Sequence, residues 1–316
     1  MVDWLDSFLI SGGFRVVMFI GLALLVHLQL GLTRVANFGV VGFWGLGLYV
    51  FGVLYIKVDW PFGDPWQFFI CAIVATIVTG IAGWIVGWLI ADLNDDGTLA
   101  ATLGFATIVF ILATQLRELT GGATGESGMG VPFDIGSTKD NDFVWLIITS
   151  LVVFGIFMYV RWVHRSPYGR LLIATGANEP LARSLGKSTQ MAKINLFALT
   201  SAVMGLLGAM QGVMFRFLNT NTLSVNVTLA ALVALIVGGT TRVWGAVVGV
   251  IVTIGLFEIV VQNYLPFPQS WFTQAVPVAR QAIFGAVLVL VLIFRPRGIL
   301  GEMKRPKLME KLHDVS

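Results

Sequence analysis

RWVHRSPYGRLLIATGANEPLARSLGKSTQMAK, residues 161–193, is a basic, semi-polar interruption between two long apolar runs. After Pro167, apolar Leu171, Leu172, Thr175, Leu181 and Leu185 recur at helical spacing, residues 178–180 (NEP) break the run, and Gly186 closes it. Such punctuation predicts two short amphipathic helices joined by a bend. On periodicity alone this is either a helix lying among lipid headgroups or a docking element for a soluble partner.

Away from this stretch the chain reads as membrane. Of 316 residues, 57% are apolar and 12% charged, with 36 glycines and a mean hydropathy of +0.86, a balance no ordinary soluble domain shows. A helix needs about 20 mostly apolar residues to cross the hydrocarbon core, so the expected fold is an all-α polytopic membrane protein of roughly eight to ten transmembrane helices. Candidate spans are 14–32, 38–56, 68–91, 99–116, 143–162, 194–215, 225–239, 244–265 and 279–294. The seventh is short and ends at Gly238 and Gly239, which suggests either a broken helix or one that runs deeper than hydropathy shows. The whole chain, 1–316, is read as one transmembrane domain, with a loop at 164–193 and a tail at 295–316.

Lys and Arg near span ends are retained on the cytoplasmic side. Placing 161–193 inside also places Arg34, Arg242 and the tail inside, which gathers most of the 20 basic residues there. The N-terminus is then outside and the C-terminus cytoplasmic. The opening MVDWLDSF is acidic and aromatic, without the basic region and small-residue cleavage site of a signal peptide, so the first apolar run is expected to remain. Trp4, Trp60, Trp66, Trp145, Trp162 and Trp271 fall near span ends, where amphipathic rings are favoured.

Glycines cluster inside the spans at Gly39, Gly42, Gly45 and Gly47, at Gly80, Gly83 and Gly87, and at Gly205, Gly208 and Gly212. Small residues let helices approach backbone to backbone where lipid supplies no hydrophobic drive; a glycine-lined path is the sharper alternative. A short echo, TLAATL from Thr98 and TLAALV from Thr228, falls on spans expected to run in opposite directions, as inverted-repeat halves require.

Few residues offer chemistry. Cys71 is the only cysteine, so disulfides and paired-thiol sites are excluded. Gly186, Lys187 and Ser188 read GKS, but a phosphate loop needs glycine at 181, where Leu181 stands. Neither a zinc helix nor a nucleophile elbow is present, so no catalytic residue, cofactor, metal site or nucleic-acid surface is expected. Charged groups at membrane depth are functional candidates by default: His27, Arg34 and Glu258, with Arg216 and Arg280 nearer the outer face. His27 is read as a helix-to-helix hydrogen-bond partner, and Glu258 as one of a buried pair, with Gln262 one turn on.

The run from Arg165 to Gly212 resembles the cytoplasmic coupling loop and following helix of the permease subunits of bacterial branched-chain amino acid ABC importers. A serine, a GR pair, an alanine, an NE pair and a late LG recur there, followed by a glycine-rich helix. Asn37, Phe38 and Gly39 with Gly47, Leu48 and Tyr49 look like the family's early-helix pattern, and Thr120 to Gly125 like its outer TGGxxG turn. Gly238 and Gly239, with Gly245 and Gly249, look like its late broken helix, and Arg295, Pro296, Gly298 and Gly301 like its closing RPxGxxG. The matches fall in order along nearly the whole chain.

The resemblance implies a prokaryotic cytoplasmic (inner) membrane permease, itself not an enzyme. Its implied partners are a second, homologous permease subunit, two cytoplasmic ATPase subunits and an extracytoplasmic substrate-binding protein. Gly169, Arg170, Ala174, Asn178, Glu179, Leu185 and Gly186 carry over as ATPase-coupling residues, Arg170 and Glu179 as polar contacts. Asn37, Gly39, Gly238 and Gly239 carry over to the translocation path. The chain departs from the family at Gly176 and Ala177, where an arginine and an acid are common, at Arg34, where a small residue is usual, and at Val40, where histidine is common. Relatives of this type also carry urea and amides. A stand-alone secondary transporter or channel is the alternative class; it would need mid-membrane acids or histidines, and only His27 and Glu258 offer themselves.

Overall fold

Helix α1 (Val2–Val26) runs directly into a π-helical turn, His27–Leu32, and the chain then leaves helical geometry until α2 (Val40–Lys57). The computed structural model describes residues 2–61, 66–130, 136–260 and 298–301, with side chains described from residue 10 to residue 255 within those ranges and at 298–301. The expected span 279–294, the end of span 244–265, the side chains of Trp4 and Glu258, and Gln262, Trp271, Arg280, Arg295, Pro296 and most of the 295–316 tail lie outside the described residues.

The remaining helices are α3 (Trp66–Ile90), α4 (Asp95–Gln115), short α5 (Arg117–Thr120), α6 (Thr138–Arg165), α7 (Pro167–Ala177), α8 (Glu179–Ser184), α9 (Thr189–Phe215), α10 (Val225–Gly238) and α11 (Val243–Val250), the last continuing as a π-helix, Ile251–Val260. Six described helices are long and apolar enough to cross a membrane, beginning with Ile10–Leu32. The expected all-α polytopic fold is present, interrupted by one two-residue antiparallel pair, β1 (Glu126–Ser127) with β2 (Phe217–Leu218). α10 has 14 residues, about 21 Å of helix, less than a hydrocarbon core. It ends at Gly238 as the glycine pair implied, and the chain turns through 117° into α11.

Helices α2, α3 and α9 form the centre because their glycines let them touch. A Cβ on Gly208 would run into the Trp44 carbonyl, one on Gly47 into the backbone of Gly205, and one on Gly83 into Ser201. Close packing is therefore the use of these glycines, and α9 lies sandwiched, with Met204 and Leu207 fully buried. By contrast α3 shows lipid-compatible residues outward, among them Ile73, Ile77 and Trp88, all exposed. Trp66 and Trp162 are exposed as interface anchors should be; Trp145 differs, buried against Phe68 with ring centroids 5.0 Å apart.

The two ends of the bundle are chemically distinct. At one, Lys57 pairs with Glu126 at 2.8 Å, Arg216 with Asp142 at 2.7 Å, and β1 meets β2. At the other, α7 and α8 lie against the α3–α4 connection, where Arg183 reaches Asp92 at 3.4 Å and Gln190 donates to Asp92 at 2.9 Å. α4 thus runs away from the α7–α8 end and α10 runs toward it, the opposed directions expected of the TLAATL and TLAALV echo.

Candidate functional site

Residues 33–39 carry the chain from the α7–α8 end back into the bundle, so α2 begins deep inside it. A buried helix start exposes amide donors that lipid cannot satisfy. Side chains supply the acceptors. Phe38 N donates to Thr102 Oγ1 (3.1 Å), Gly39 N to Asn37 Oδ1 (2.7 Å) and Val41 N to Thr228 Oγ1 (3.0 Å). Asn37 Nδ2 donates to Gln29 Oε1 (3.0 Å), and Gln29 Nε2 to Thr200 Oγ1 (2.6 Å). All five side chains are buried. This network joins α1, α2, α4, α9 and α10 at one polar centre, and each bond contributes about 0.5–1.5 kcal/mol net. The π-helical turn opens the way for it: Thr33 Oγ1 donates to the Gln29 carbonyl at 2.6 Å, and such turns recur at functional sites.

A second break, between α10 and α11, is held by backbone. The amides of Ile299 and Leu300 donate to the last carbonyls of α10, Val237 at 2.8 Å and Gly238 at 3.2 Å. Gly239 has φ +113° and Gly298 φ +73°, conformations that glycine adopts freely, and a Cβ on Gly298 would meet the Gly239 backbone. Thr240 O accepts from His27 Nδ1 at 2.7 Å, and His27 Nε2 lies 2.8 Å from His164 Nε2. A carbonyl can only accept, so Nδ1 of His27 carries the proton and His164 donates to Nε2. Both nitrogens of His27 are taken, so it brings α1, the α10–α11 turn and α6 together, the helix-to-helix role expected of it.

The 161–193 stretch folds as its punctuation implied. Ser166 caps α7, its hydroxyl accepting from Gly169 N at 3.0 Å, and Asn178 caps α8 by accepting from Leu181 N at 3.1 Å. Gly169 presses against Val163, where a Cβ would meet the carbonyl, and Gly186 has φ +76°. Gly176 lets α7 touch the backbone of Leu32 and Thr33, where a Cβ would clash. Leu172, Thr175 and Ala182 are buried. Leu181 and Leu185 are 55% and 71% exposed, with Ile173 at 45%.

Glu179 does not stand free. Its carboxylate accepts from Arg183 (3.0 Å), Thr189 Oγ1 (3.2 Å) and Lys193 Nζ. Burial alone would raise its pKa, but the hydrogen bond and charge of Lys193, the Arg183 charge and the Thr189 hydroxyl outweigh that and hold it below the usual carboxylate range. Arg170 is exposed, its side chain without a hydrogen bond or ion pair among the described residues, and Ala174 is exposed beside it. Thus Gly169, Asn178, Glu179 and Gly186 build the element, while Arg170, Ala174 and Leu185 lie on its outer face. Asn37 and Gly39 sit in the first break and Gly238 and Gly239 in the second.

Beside Glu179 a cavity of about 280 Å³ opens between α7–α8, α9 and the ends of α3 and α4. Arg34 on its wall is held at φ +59°, a left-handed conformation that costs a non-glycine residue about 1–2 kcal/mol.

Two breaks in the helices, one lined by a buried polar network and one held by backbone, with a braced helical pair at one end of the bundle, define a polytopic membrane protein with helices interrupted at membrane depth. The family model described as branched-chain amino acid transport system / permease component matches residues 9–292. The chain is 26% identical over 93% of its length to the high-affinity branched-chain amino acid transport system permease protein LivM of Salmonella typhimurium, covering 70% of that protein, and the same figures hold for LivM of Escherichia coli. It is 24% identical over 72% of its length to a probable branched-chain amino acid transport permease protein LivM of Methanocaldococcus jannaschii, covering 66% of it. No solved structure matches the chain. The chain belongs to this family of permease components of branched-chain amino acid transport systems, the membrane subunits of ABC importers.

Proposed function

We propose that this chain is one of two similar permease subunits that pass a branched-chain or related amino acid across a prokaryotic cytoplasmic membrane. An extracytoplasmic binding protein delivers the substrate, and two cytoplasmic ATPase subunits drive its passage. The α7–α8 end faces the cytoplasm and the N-terminus the outside, in keeping with the basic residues gathered at the former.

One observation carries the reading. α7 and α8 form a capped, internally braced element whose outer face shows apolar Ile173, Leu181 and Leu185 beside the charged Arg170, all exposed and none packed away among the described residues. Closure of an ATPase pair can move membrane helices only through a rigid body both share. α7 touches the π-helical turn of α1 through Gly176, and residues 33–39 lead from that turn to the polar centre. A push on α7 therefore reaches Asn37 and Gly39 through covalent and packed contacts, and His164 and His27 carry it to the turn after Gly238 and Gly239. Those four residues hold the two breaks that rearrange as substrate passes.

The test is uptake in vesicles. With its companion subunits the chain should take up leucine, isoleucine or valine in an ATP-dependent way. Leu185→Glu, which sets a charge on the docking face without touching this chain's own packing, should lower uptake at least about ten-fold while ATPase association weakens, on the scale of losing an interface anchor. Wild-type uptake by that variant would remove the docking role. Uptake of urea or amides in place of amino acids would reassign the substrate.

A further inference from the structure

The cavity beside Glu179 lies between α7–α8 and the ends of α3 and α4, and its lining mixes charged and apolar residues. The exposed side chain of Arg34 forms no hydrogen bond or ion pair among the described residues, and neither does that of Asp95, exposed at the first turn of α4. The two line one cavity yet do not pair, so each retains its capacity for a ligand charge. The Thr98 hydroxyl also has no partner among the described residues. The other lining includes Ile90, Leu196 and Phe197, all less than a tenth exposed. The volume, about 280 Å³, sits at the lower edge of the roughly 300–1,000 Å³ typical of small-molecule sites.

We infer that this cavity binds a zwitterionic α-amino acid with an aliphatic side chain, a site for product on the cytoplasmic side. A guanidinium offers a planar fork of donors that suits a carboxylate, and Asp95 offers a carboxylate to an ammonium group. Ile90, Leu196 and Phe197 take the aliphatic side chain. Glu179 and Lys193 line the same cavity, so an occupant touches the brace that holds α8 to α9. Bound product thereby stiffens the coupling element against the motion that transport requires. The inference rests on the importer reading for its orientation and for leucine as the probe.

Binding of radiolabelled leucine to the purified complex of the chain with its companion subunits, without binding protein, tests it. Leucine should bind saturably and outcompete both leucinamide, which lacks the carboxylate, and 4-methylpentanoate, which lacks the amine. Arg34→Gln should weaken leucine binding at least about ten-fold, the scale of one charged hydrogen bond, and abolish the preference over leucinamide; Arg34→Lys should restore part of it. Asp95→Asn should abolish the preference over 4-methylpentanoate. Variants are compared only as intact complexes by size-exclusion elution, so Arg34→Lys and Asp95→Asn keep the test alive if Arg34→Gln does not assemble. Wild-type complex that does not bind leucine, or variants that bind it with wild-type affinity and preference, would overturn the site. Leucine uptake by the same complex with its binding protein is measured in parallel. Uptake without Arg34-dependent binding removes the site and leaves the importer; Arg34-dependent binding without uptake removes the importer and leaves the site.

Discussion

Glu179 shows how one carboxylate turns a surface loop into a lever. It accepts from donors on α8 and α9, so α8 cannot swing independently of the long helix that follows it. Glu179→Arg would place a third cation beside Arg183 and Lys193. Uptake is expected to fall at least about ten-fold with the chain still inserted, as truncating one partner of a partly buried charge pair costs about 2–5 kcal/mol; normal uptake would remove the bracing role. Its folded pKa is lowered, so the stability it contributes is fully present above the unfolded value of about 4.3 and is lost only as pH falls through the lower folded value. ATPase association should accordingly show no Glu179-dependent change from about pH 8 to about pH 6, measured by co-elution of wild type and Glu179→Gln. Asn37 is the second decisive residue. Asn37→Ala would remove the acceptor of the Gly39 amide and the donor to Gln29 Oε1, a loss of about 1–3 kcal/mol, seen as a lower melting temperature in detergent.

What could be read from residues in order was local. Asn178, Pro180 and Gly186 announce a helix start and stop because capping and left-handed turns are chemistry between near neighbours. The partners of Gln29 and His27 were not legible: Thr200 is 171 residues away and His164 is 137 away. A threonine in an apolar run looks neutral until the fold aims it at a buried amide, as with Thr102 and Thr228. The spacing of Leu181 and Leu185 puts them on an apolar face of a short helix, but spacing names a face and not what covers it.

At the scale of elements, the breaks between α1 and α2 and between α10 and α11 are two solutions to one problem. A helix end inside a bilayer needs partners for its free amides or carbonyls. The first break uses side chains, Asn37, Thr102 and Thr228; the second uses the amides of Ile299 and Leu300. The glycine pattern is legible at this scale, since repeated small residues demand a close neighbour, although which helices meet had to come from the fold. Gly208→Val would force α9 away from the Trp44 carbonyl. Overpacking of this kind costs about 1–3 kcal/mol, so a loss of thermal stability is expected in fluorescence-detected size-exclusion, whereas the same substitution at Gly104, where a Cβ would meet nothing, should be tolerated.

For the whole molecule, sidedness is the claim on which docking depends. Cys71 is buried, so single cysteines introduced elsewhere report access. Leu185→Cys should label from the cytoplasmic side and Ser127→Cys from the outside, and the reverse pattern would invert the arrangement. The central claim is that α7 and α8 are where an ATPase takes hold of this chain. Co-purification tests it most directly: the tagged chain, expressed with the genes beside its own and extracted in mild detergent, is predicted to bring down an ATPase subunit, and Leu185→Glu to release it while the permease remains monodisperse. A wild-type chain that emerges with no ATPase, or a Leu185→Glu chain that retains it fully, contradicts the account.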